Sequence, residues 1–145
     1  MTPEDLVAVE RSWSELRTLR APLLAALTRR FDEVPPPAMA AGLRAEWLLC
    51  AVEALVGLLS APSRLAACAR DVGETWPDPR TAPSFGVEGR AWMAAGRECL
   101  ASWSDRTEAA WCQAWLLLSE VLAAEALSPF CDDARCADRA AGGGR

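Results

Sequence analysis

From Trp103 to Leu127 the chain reads WSDRTEAAWCQAWLLLSEVLAAEAL, with no proline or glycine to break it. Trp111, Trp115, Leu118, Leu122 and Ala126 recur at steps of three or four and so share one side of a helix. Cys112, Leu116, Ala123 and Leu127 widen that side, while Gln113, Glu120 and Glu125 lie off it. Ser104 stands where its oxygen can accept from a first-turn amide, and Asp105 and Glu108 put negative charge at the positive end of the helix dipole. A helix that buries two tryptophans does not persist alone in water. It needs a groove of other helices, and the sequence before it supplies them.

Thr2-Pro3-Glu4-Asp5 is a helix start: a capping hydroxyl, proline at the first helical position, then acids. Leu6, Val9, Trp13 and Leu16 follow as its inward stripe. Arg20-Ala21-Pro22 predicts an interruption, because the residue before a proline avoids the helical region. A second helix then turns Leu23, Leu24, Leu27 and Phe31 inward and stops at Pro35-Pro36-Pro37. A third, about Ala38 to Leu59, places Leu43, Trp47, Cys50, Ala54 and Leu58 on its inward face, flanked by Leu48, Ala51 and Leu55. A short fourth runs from about Ser63 to Val72, and Gly73 to Pro83 reads as a loop. A fifth, about Phe85 to Ser102, sets Val87, Trp92, Ala95, Cys99 and Leu100 near one side. The predicted organisation is a single all-α domain over residues 1–128 and a flexible tail over 129–145.

The residues that are missing exclude much chemistry. The chain has no histidine, which removes the commonest neutral-pH base and the commonest metal ligand. No nucleophile and base stand together, so the expectation is a protein that is not an enzyme. The net charge is −5 and the arginines are scattered, which argues against nucleic acid as a partner. The longest apolar run, Trp47 to Leu59, carries Glu53 and is too short to span a bilayer, so no membrane partner is expected. The amino terminus lacks the basic start and apolar block of a secretion signal. Of six cysteines, four fall inside helical patterns as small apolar residues, and no CxxC occurs. A reduced, cytoplasmic protein is the expectation. Cys131 and Cys136, with acids nearby, match no zinc spacing and read as part of the tail.

Particular stretches resemble the bacterial single-domain globins. Ser12-Trp13 lies in a capped first helix like theirs. Phe85-Gly86-Val87-Glu88-Gly89-Arg90-Ala91-Trp92-Met93 resembles the start of the globin G helix. The turn Trp103-Ser104-Asp105-Arg106-Thr107-Glu108-Ala109-Ala110-Trp111 resembles that family's entry into the H helix, and Gln113-Ala114-Trp115 stands where Glu-Ala-Tyr is common. The resemblance implies a globin-like bundle of about six helices, shortened between the second and third. It further implies a homodimer through the two long C-terminal helices.

The same resemblance implies a haem between the third and fourth helices, held by a histidine on the fourth. The matching residues Leu65 to Asp71 put aspartate at that position. Leu43 or Arg44 stands where a glutamine or histidine faces the ligand. The altered pocket is thus expected around Asp71, Cys68, Leu43, Arg44 and Trp47. Aspartate is a poor axial donor for haem iron, and Cys68, one turn earlier, is the softer alternative. A lost haem would leave a costly void, and Trp47 is the residue placed to fill it. Trp76 either makes an exposed contact or folds back over the pocket. The expected module therefore has no cofactor and serves as an interaction, sensor or small-molecule module with a small apolar ligand in reach. The alternative is an oxygen-binding globin with haem on Cys68 or Asp71.

Overall fold

The computed structural model describes residues 1–34, 39–77, 85–121 and 124. Among these the chain is all-α, with helices α1 (Pro3–Leu16), α2 (Arg20–Asp32), α3 (Ala41–Val56), α4 (Pro62–Glu74) and α5 (Phe85–Cys99), and a further helical run, α6, over 105–121. The tail over 129–145, with Cys131 and Cys136, lies outside the described residues.

α1 begins on a reciprocal cap. Thr2 Oγ1 accepts from the Asp5 amide at 3.2 Å, and Asp5 Oδ2 accepts from the Thr2 amide at 2.8 Å. Its buried side is Asp5, Val9, Ser12, Trp13 and Leu16. A single 3-10 turn, Arg17–Leu19, separates it from α2. The break therefore falls earlier than the expected Arg20–Pro22. Pro22 sits inside the first turn of α2, where an amide has no intrahelical acceptor to lose. α2 buries Leu23, Ala26, Leu27 and Phe31 and packs against both α3 and α5. Arg29 and Arg30 of α2 both reach Glu98 of α5, the second at 3.6 Å.

α3 keeps part of the expected face and shifts the rest. Trp47, Leu48, Ala51 and Leu55 are buried as expected and Ala45, Leu49 and Val52 join them, whereas Leu43 is 50% exposed and Cys50 and Ala54 are also exposed. This helix is apolar nearly all round, so its periodicity does not choose a side, and packing does. α4 starts with Pro62 at its first position, buries Leu65, Ala69 and Val72, and runs past Val72 to Glu74.

α5 and α6 fit together through two glycines. A Cβ on Gly89 would lie 3.0 Å from Cγ of Trp115, and one on Gly96 only 2.3 Å from Cζ3 of Trp103. Gly96 thus makes room for the Trp103 ring against α5, and at Gly89 a methyl group would press on the Trp115 ring. Ser104 caps α6 by accepting from the Thr107 amide at 3.2 Å. Trp111 and Trp115 are buried as expected, at 0% and 5% exposure, against Trp92 of α5 at 5.1 and 6.3 Å. Trp13 of α1 joins Trp92 at 5.8 Å, so four indoles share the centre of the core. Leu116, expected to widen the buried stripe, is 58% exposed instead. No helix among the described residues is long and apolar enough to cross a membrane.

Candidate functional site

α3 and α4 form a hairpin through the turn at Gly57 to Ala61, and the expected pocket residues divide between its two sides. On one side lies an open groove of about 300 Å³ lined by Trp47, Cys50, Ala51 and Ala54 from α3 and by Cys68, Asp71, Val72 and Thr75. Trp47 is nearly buried, and its indole N–H donates to Thr75 Oγ1 at 3.1 Å. Thr75 Oγ1 donates to the Val72 carbonyl at 2.7 Å, just past the helix. That relay holds the indole across the end of the groove. Cys68 is half-buried, with its thiol 3.8 Å from the Ala54 carbonyl of α3. Asp71 is exposed on the rim.

On the other side is an ionic centre. Arg44 Nε donates to Glu88 Oε1 at 2.8 Å, and its Nη2 reaches the same oxygen. Glu88, on α5, is fully buried. The Arg44 guanidinium lies 4.6 Å over the Phe31 ring and 5.8 Å from Trp76. Trp76 meets Trp47 edge to face at 4.6 Å, so the two sides touch through these indoles. Trp76 therefore folds back rather than standing clear. Leu43, next to Arg44, faces neither side in an enclosed way, being half exposed.

Trp47, Cys68 and Asp71 are thus brought together, while Arg44 is directed to Glu88. Glu88 is the partner the sequence reading missed, although a signal was present. Positions 88, 92 and 95 share a helical side, so a carboxylate there accompanies Trp92 and Ala95 into the core and needs a cation.

Of the donors expected for a haem iron, the groove holds Cys68 and Asp71 among the described residues. The Cys68 thiol lies 3.8 Å from the Ala54 carbonyl, so α3 and α4 are in contact at that level. Trp47 and Trp76 occupy the end of the cleft. Arg44 is held by Glu88 rather than aimed into the groove. The remaining candidate, Asp71, offers a hard carboxylate from an exposed position. Among the described residues no three acidic or cysteine side chains converge to hold a metal.

Comparison with protein-family models, with curated proteins and with solved structures finds no match to this chain.

Proposed function

We propose that this chain is a haem-free binding module on a globin-like helical scaffold, taking a small apolar molecule in the groove between α3 and α4. The observation that carries the reading is the groove itself: an opening of about 300 Å³ whose walls are Trp47, Ala51, Ala54 and Val72, with Asp71 and Thr75 beside them. Apolar walls with a few convergent polar groups are the ordinary make-up of a small-molecule site. The haem-free part is supported by the lack of any histidine in the chain and by the pairing of Arg44 with Glu88. A nucleic-acid partner is disfavoured by the same bookkeeping of charge, since Arg20, Arg29, Arg30, Arg44, Arg97 and Arg106 are all engaged with acids. Self-association through α5 and α6 belongs to the proposal as well; exposed Leu116 lies on that side.

Titration with hemin and with an apolar fluorophore such as 1-anilinonaphthalene-8-sulfonate tests the reading. The expected result is no haem absorbance band, together with fluorophore binding that is lost in Ala54→Trp. A haem band that disappears in Cys68→Ala or Asp71→Ala would overturn the proposal in favour of a thiolate- or carboxylate-ligated haem protein. Fluorophore binding unchanged in Ala54→Trp would move the site away from the groove.

A further inference from the structure

On the outer seam between α5 and α6, away from the groove, two sulfurs face each other. Cys112 Sγ of α6 lies 3.4 Å from Met93 Sδ of α5, with the thiol as donor. Both residues are half-buried. One turn along the seam, Arg97 and Glu108 pair across the same two helices and neutralise each other. On the other flank Gly89 lets Trp115 close against α5, which fixes the spacing of the two backbones.

We propose that Met93 and Cys112 form a two-sulfur site for a soft monovalent metal ion, copper(I) or silver(I). The reasoning starts from the hydrogen bond. The S–H proton of Cys112 points at the thioether and lies between the two sulfurs, where a soft cation of the same charge would bridge them. On binding, the S–H bond of Cys112 breaks, its proton leaves to solvent, and the metal forms one bond to the thiolate and one to the thioether. No electron moves, and the net charge of the site is unchanged. Ligand softness selects the ion: thiolate and thioether prefer copper(I), whereas zinc in proteins asks for four nitrogen, sulfur or oxygen donors. The described residues hold no such larger cluster. Methionine suits the role because its unbranched thioether adjusts by rotation to the wider S–metal–S span.

The test is anaerobic competition for copper(I) against bathocuproine disulfonate, using the full chain with Cys131→Ser and Cys136→Ser so that those thiols do not compete. Cys112→Ser should abolish the tight site, and Met93→Leu should weaken it by about tenfold or more, since the softer second donor is gone. Met93→Leu conserves volume, and an unchanged far-ultraviolet dichroism spectrum confirms that the fold is kept. Cys99→Ser should leave the affinity as it was. The proposal is overturned if Met93→Leu binds as tightly as its parent, or if Cys99→Ser removes the binding.

Discussion

The indole N–H of Trp111 donates to Ser12 Oγ at 2.9 Å, tying α6 to α1 in the middle of the core. Ser12 shares its own proton between the carbonyls of Ala8 and Val9, at 2.8 and 3.0 Å. Trp111 is fully buried and Ser12 nearly so. Ser12→Ala therefore strands a buried donor, and should lower the unfolding free energy by about 1–3 kcal/mol in urea titration. In a Trp111→Phe background the same change should cost much less, because the donor is already gone. An equal cost in both backgrounds would show that the bond is not the cause.

The glycines divide by what a methyl group would meet. On Gly96 it would overlap the Trp103 ring at 2.3 Å, and the ring is wedged at the turn between α5 and α6. Gly96→Ala should destabilise by about 1–3 kcal/mol, as overpacked sites do. Gly42 lies within α3 and Gly57 at its end, with φ −66°, and neither has an atom within 4 Å of a built Cβ. Gly42→Ala and Gly57→Ala should each stabilise by about 0.4–1 kcal/mol through the unfolded chain. Thermal melts of the three variants, run side by side, check the opposite signs.

These cases also mark where the sequence was legible. The caps at Thr2 and Ser104 and the burial of Trp111 and Trp115 follow from local spacing and chemistry, and the structure has them. The inward face of α3 was not legible, because apolar residues surround that helix and only its neighbours decide which become core. The roles of Gly89 and Gly96 appear only when the rings of Trp115 and Trp103 are laid against α5. At the candidate site, Cys68, Asp71 and Trp47, singled out in the sequence for an altered haem pocket, line one groove. Arg44 was found without its partner, because Glu88 lies 44 residues away and was read as part of a motif rather than as a buried charge.

That pair makes its own prediction. Arg44 keeps 19% of its side chain exposed, whereas Glu88 keeps none, so the two halves are not equivalent. Arg44→Met takes the guanidinium from a fully buried carboxylate and should cost about 3–5 kcal/mol. Glu88→Gln leaves a cation that still reaches water and stacks on Phe31, and should cost less. Replacing both, as Arg44→Met with Glu88→Leu, should recover most of the loss, since apolar groups of similar size substitute well for a buried ion pair. Denaturant midpoints of the two single variants and the double variant decide it; additive losses would mean that the pair is not a unit.

Acid should loosen the end of the molecule where α1 begins. The Thr2 backbone amide, donating to Asp5, holds that carboxyl below its ordinary value; the Thr2 hydroxyl and nearby Arg106 act the same way, while burial opposes them. Arg29 lowers Glu98 and Arg97 lowers Glu108 by the same kind of hydrogen bond. For a carboxyl with a depressed folded value, the folded state binds fewer protons than the unfolded one. Its stabilisation is complete above the unfolded value of about 4, and is lost as pH falls through the folded value. Urea midpoints should therefore stay level from neutral pH down to about 5 and fall below about 4. Asp5→Asn should be less stable than the parent at pH 7 and approach it near pH 3, because the variant has no charge there to lose. A constant gap between the two at every pH would mean that Asp5 acts through its shape at the cap and not through its ionisation.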